Sequence, residues 1–166
     1  SLRASAAEGR AGARTGGGRL AEVATSGAAA AADPDALFDV RRALADDRLA
    51  AGVANHVYVR VRNAGNVDAA PARVRLLRLD PTATPVTWAA AADATGPVPA
   101  EGVAIIDVAH TPTAAAGGFE HLLAVADRDL DGARVDVPAT FPDLDAVVVY
   151  AESRPDVALR TLGVGP

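Results

Sequence analysis

The stretch richest in chemical groups is Asp127-Arg128-Asp129-Leu130-Asp131-Gly132. Carboxylates on alternate residues of a tight loop converge on a hard cation, and the glycine permits the sharp turn. Asp127, Asp129 and Asp131 are therefore the candidate calcium ligands. The string departs from an EF-hand at its end: Pro138 stands where a bidentate glutamate is needed, and no entering helix is predicted. Asp136, Asp143 or Asp145 would have to supply further oxygens. The competing reading is a solvated acidic turn, because Asp and Gly are ordinary turn residues.

Other chemistries are thinner. His56, His110 and His121 are scattered and share no metal-ligand spacing. His56 and His121 could meet across neighbouring strands, but each reads first as a hydrogen-bonded strand residue. The serines are Ser1, Ser5, Ser26 and Ser153, none in a G-x-S-x-G elbow, and a serine nucleophile needs a base beside it. There is no cysteine, which excludes disulfides, thiolate zinc sites and cysteine nucleophiles. The chain reads as a non-enzyme. Arg60, Arg62, Arg73 and Arg75 would project from one polar face of two consecutive strands, with Arg78 nearby. Such a face suits anion binding or protein docking; equally, arginine stems cover apolar surface and deter edge pairing. Trp88, the single tryptophan, sits at the end of an expected loop, as a lid on the core or as a sugar-stacking or interface residue.

The elements that must position these groups follow from composition and periodicity. With 166 residues the chain fits one domain and a tail. Half the residues are apolar but only 4% are aromatic, so the core is built from Val, Leu, Ile and Ala. All basic residues are arginine, and the net charge of −5 argues against nucleic-acid binding. No apolar run approaches the roughly 20 residues of a membrane span, and the N-terminus lacks a signal-peptide layout. The chain does not begin with Met and is expected to be a processed product or a piece of a longer polypeptide.

Residues 1–32 are low-complexity Ala, Gly, Ser, Thr and Arg, expected to form a flexible linker or an arm that orders on a partner subunit. Asp33-Pro34-Asp35 marks the start of the domain, 33–166. Residues 36–44 suggest a first, edge strand. Val57, Val59 and Val61 then alternate with His56, Tyr58, Arg60 and Arg62, the mark of a strand buried on one face. Asn63-Ala64-Gly65-Asn66 is the turn to a second strand, so the pair reads as a hairpin or as two sandwich strands. In that strand Ala72, Val74 and Leu76 share a phase, yet Leu77 and Leu79 break it. A β-bulge near Leu76-Leu77 explains this, as does a strand covered on both faces. Residues 80–86 read as a proline-bearing loop leading to Thr87-Trp88, and residues 96–100 as another turn region. Val103–Val108, Phe119–Ala126 and Val157–Val164 are further strands, with Phe119–Ala126 central and covered on both sides. Residues 143–152 suit a triple-valine strand or a short helix capped by Asp143.

Short strands at regular spacing, punctuated by Gly, Pro, Asn and Asp, indicate an all-β protein: an Ig-like antiparallel β-sandwich of about seven strands. Several strings add a family likeness. V-R-V-R-N-A-G (Val59–Gly65), the small residues Ala69–Ala72 and the strand Val74–Leu79 resemble the Ig-like CARDB-type modules of bacterial secreted and surface proteins. So do V-P-A-E-G-V-A (Val98–Ala104), although Glu101 precedes its glycine, and G-G-F-E-H-L-L-A-V-A-D (Gly117–Asp127). Arg154–Thr161 resembles the closing strand of some relatives, with Pro155 and Asp156 in place of asparagines. The resemblance implies a non-catalytic structural or protein-interaction module of an extracellular or surface-assembled protein, with other protein subunits as partners and no shared ligand. The alternatives are a calcium- or carbohydrate-binding accessory module and a shell or decoration subunit of a phage-like or secreted particle.

Overall fold

The computed structural model describes residues 21–38, 48–65, 69–128 and 135–166. These form an all-β sandwich with one added helix. The strands are β1 (Ala21–Gly27), β2 (Arg48–Ala50), β3 (Asn55–Arg62), β4 (Ala69–Asp80), β5 (Val86–Val98), β6 (Val103–His110), β7 (Phe119–Arg128), β8 (Thr140–Phe141) and β9 (Val157–Gly165); helix α1 spans Leu144–Ser153. A three-stranded sheet, β1-β3-β6, faces a six-stranded sheet, β2-β9-β7-β4-β5-β8. All pairings are antiparallel except β2 with β9. No described helix is long and apolar enough to cross a membrane.

Two cores lie on either side of the large sheet. Between the sheets, Val57, Val59 and Val61 meet Val74, Leu76, Leu122 and Ala124. On the opposite face, Leu77, Leu79, Leu123, Val125 and Val157 meet Val147 and Ala151 of α1. Each fully buried Leu or Val contributes about 1.5–3 kcal/mol over its exposed state. The helix is held at its start by Asp143, whose carboxylate accepts the Ala146 N–H at 2.8 Å, so the helical reading of 143–152 is the correct one.

The apparent phase flip in β4 has a simple cause. Ala72, Val74 and Leu76 point into the inter-sheet core, while Leu77 and Leu79 point into the helix-covered core. β4 runs against β7 in unbroken register. A register shift does occur at Leu76/Leu77, but against β5, where Leu76 pairs with Ala92 and Leu77 with Ala90. The extra residue is Ala91 of the neighbouring strand.

Three expectations are corrected. Ala21–Gly27 lies in the segment read as a linker, yet it is β1, paired with β3. Ala21, Val23 and Thr25 face inward as small side chains with little strand signal. Residues 34–38 form a short 3₁₀ turn rather than the start of a strand, and residues 39–47 lie outside the described residues. Trp88 is not in a loop: Val86–Val98 is one long strand whose alanines conceal it and whose Pro97 is tolerated because it lies at an edge. Of the two readings of β3 and β4, a pair of sandwich strands is the one that holds: β3 lies in the small sheet and β4 in the large one.

A strand buried on both faces makes a specific prediction. Leu76→Ala and Leu77→Ala, adjacent residues facing opposite cores, are each expected to cost about 2–5 kcal/mol in urea unfolding. If only one of them matters, β4 has a solvent face.

Candidate functional site

The crossover between β3 and β4 takes apart the expected arginine face. Arg60 and Arg62 stand on the outer face of the small sheet. Arg73 and Arg75 stand on the outer face of the large sheet, on the opposite side of the molecule. Arg60 Nη2 donates to Glu22 Oε2 at 2.6 Å and its guanidinium lies 4.8 Å from the Phe38 ring centroid. Arg73 Nε lies 3.7 Å from Asp93 Oδ2. Arg75 forms a bidentate pair with Asp127 and donates to the Val135 carbonyl at 2.7 Å.

That pair bears on the acidic string. Asp127 is fully buried, and its Oδ1 also accepts the Val135 N–H at 2.8 Å. Its oxygens thus serve Arg75 and the backbone. Asp129 and Asp131 lie outside the described residues, and among the described residues no cluster of three metal-ligating side chains occurs. Trp88 is half-buried beside the helix-covered core, and its Nε1 donates to the Pro138 carbonyl at 2.7 Å. The well-exposed aromatic is instead Phe119, 65% exposed and paired with Gly163. The hydroxyls of Ser26 and Ser153 donate to the carbonyls of Ala29 and Tyr150.

What the fold does assemble is a groove beside a strand edge. β6 ends the small sheet and pairs only with β3 among the described strands. The Asn63 N–H donates to the Gly102 carbonyl at 2.9 Å, which fixes the alternation along the ladder. Ala104, Ile106 and Val108 direct their N–H and C=O groups toward β3. Val103, Ile105, Asp107 and Ala109 direct theirs away from it. The same four residues place their side chains on the outer face, because Val57, Val59 and Val61 pair with Val108, Ile106 and Ala104 in the core. A tight turn sets where β6 begins. Glu101 takes φ 54°, and a Cβ on Gly102 would come within 2.6 Å of Pro99 Cγ, so glycine is required there.

Along the outer face runs an open groove of about 570 Å³, lined by Ala31, Pro34, Asp35, Tyr58, Ile105 and Asp107, among others. Tyr58 forms its floor: the ring is buried, and its hydroxyl accepts the Ala31 N–H at 2.9 Å, tying the chain just before the 3₁₀ turn to the sheet. His56 Nδ1 bonds Asp107 Oδ2 at 2.8 Å, and its ring stacks on Tyr58 with centroids 6.1 Å apart. The period-two pattern of β3 places His56 and Tyr58 on this face in the sequence. The role of β6 as an edge had no sequence signal, since strand order is a tertiary property.

Among the edges of the described strands, those of β5 and β6 are not alike. On β5, beyond its short pairing with β8, Asp93 points outward, Ala91 bulges and Pro97 interrupts the N–H row. Charge, bulge and proline are the devices that blunt an edge. β6 has neither bulge nor proline: its eight residues pair with β3 in unbroken register.

A second polar cluster closes one end of the sandwich. Glu120 is buried and accepts from the N–H groups of Thr113 and Ala114 and from the Thr113 hydroxyl, holding the loop after β6. His110 is buried beside it, and its Nε2 has no hydrogen-bond partner among the described residues. Burial lowers the His110 pKa below its ordinary value of 6.5; Glu120 opposes that shift and Arg78 adds to it.

Comparison with known proteins returns no matching family model, no matching curated protein and no matching solved structure.

The His110 cluster sets a pH dependence. The folded chain holds the imidazole neutral, while the unfolded chain takes up a proton near pH 6.5. The unfolded state binds more protons in that range, so stability is full above about pH 6.5 and falls as the pH drops toward the lower folded value. Urea midpoints between about pH 7.5 and pH 5.5 are expected to decline in the parent chain and to flatten in His110→Gln. An identical decline in both would show that other groups carry it.

Proposed function

We propose that this chain is an Ig-like, non-catalytic protein-interaction module of a bacterial extracellular or surface-assembled protein, and that its contact surface is the β6 edge with the adjoining groove. The observation that carries the reading is the row of outward N–H and C=O groups on Val103, Ile105, Asp107 and Ala109, regular and free of bulge or proline, set beside a groove with a buried tyrosine floor. Backbone groups of this kind recruit an extended segment as an added strand, and the groove beside them reads its side chains. The contrast with the blunted β5 edge supports a retained, specific use. The hydroxyls of Ser26 and Ser153, engaged with backbone carbonyls, fit a non-catalytic role.

Photocrosslinking tests the assignment. A photoreactive residue at position 109, on the edge, is expected to trap a protein partner in native extract; the same group at position 149, exposed on α1, is not. Ile105→Pro removes an outward N–H without taking a bond from β3, a substitution that edge strands tolerate. It is expected to keep the circular dichroism spectrum of the sandwich and to abolish trapping at 109. Equal trapping at 109 and 149, or trapping that survives Ile105→Pro in a folded chain, would contradict the assignment.

A further inference from the structure

We infer that the segment accepted by β6 is an extended stretch of a partner protein with a cationic side chain opposite Asp107 and apolar side chains opposite Ile105 and Val103. The inference rests on the proposed β6 edge and adds the chemistry of its occupant. Register supplies the first step. An added strand forms its hydrogen-bonded pairs with Val103, Ile105, Asp107 and Ala109, so its residues at alternate positions stand beside those side chains on the outer face. Antiparallel addition then fixes the order in the partner as cation-x-apolar-x-apolar.

Charge supplies the second step. Among the described residues, Asp35 and Asp107 line the groove and no arginine does. The nearby cation Arg60 is paired with Glu22. His56 holds one Asp107 oxygen; among the described residues the other oxygen meets no hydrogen-bond donor. The Asp107 carboxyl is also well exposed, at 46%. An incoming Arg or Lys therefore meets two carboxylates, whereas a Glu meets the same two as repulsion.

Shape supplies the third. Val103 is 51% exposed, and Ile105 is partly buried against Tyr58 and Leu37. Apolar residues beside them would continue this small outer cluster, which consists of Ala24, Leu37 and Tyr58 with Ala31, Phe38 and Ile105 around them. β-branched side chains suit cross-strand contact with Val and Ile.

Two capped peptides provide the test: Thr-Arg-Thr-Val-Thr-Val-Thr and the same sequence with Glu in place of Arg. Each is titrated into the isotope-labelled chain while backbone amide shifts are followed. The arginine peptide is expected to shift the amides of Val103, Ile105, Asp107 and Ala109 and to bind about fivefold more tightly than the glutamate peptide. The gap should shrink as salt is raised and close in the Asp35→Asn/Asp107→Asn double variant. Equal binding of both peptides at those amides would overturn the cationic preference and leave the edge assignment standing. If neither peptide moves those amides, the edge assignment falls, and this inference with it.

Discussion

The structure depends on one constraint: the middle of the large sheet is buried on both faces. β4 and β7 lie at its centre, and residues 122–126 of β7 are buried without a break. Alternate side chains of these strands must therefore enter different cores. The inner one is closed by the small sheet and the outer one by α1. That requirement explains the run Leu122-Leu123-Ala124-Val125-Ala126, the adjacent Leu76 and Leu77, and the need for a helix after β8. It also explains Arg75 and Asp127: lying where the outer core meets the loop before β8, they can be covered only as a hydrogen-bonded pair.

Covering the large sheet on both faces leaves little of it for partners. Among the described residues, the exposed surfaces include the blunted β5 edge, the outer side of α1, the end around Phe119, and the outer face of the small sheet. The last joins a regular ladder to a groove. There the side chains are already organised: Tyr58 fixes the groove floor, His56 orients Asp107, and Asn55 secures the end of β3. The Asn55 side chain exchanges hydrogen bonds with the Ala50 backbone at 2.7 and 3.0 Å and donates to the Val53 carbonyl at 2.8 Å. A pre-organised edge of this kind loses little conformational entropy on binding.

Much of this architecture was legible in the chain, because period-two alternation records which faces are buried. Val57, Val59 and Val61 announced β3, the apolar run after Phe119 announced a central strand, and Asp143 offered a helix as one of two readings of 143–152. What stayed hidden has physical causes. β1 and β5 are built largely from alanine and other small residues, which fill space between larger neighbours but carry weak strand preference of their own. Their identity comes from Val59 and Leu79, the residues they pair beside. Sheet membership was equally hidden, since alternation tells which way a side chain points and not which strand lies alongside. This is why Arg60, Arg62, Arg73 and Arg75 looked like one face and prove to be two. The groove combines Asp35, Tyr58 and Asp107, residues far apart in sequence that only the fold brings together.

The central claim is that β6 presents an open, regular edge, and amide hydrogen exchange tests it most directly. In the free chain, the amides of Val103, Ile105, Asp107 and Ala109 should exchange rapidly, while those of Ala104, Ile106 and Val108, bonded to β3, should be strongly protected. That alternation is the predicted result. Uniform protection along all seven residues would mean that the edge is already covered, and would contradict the account.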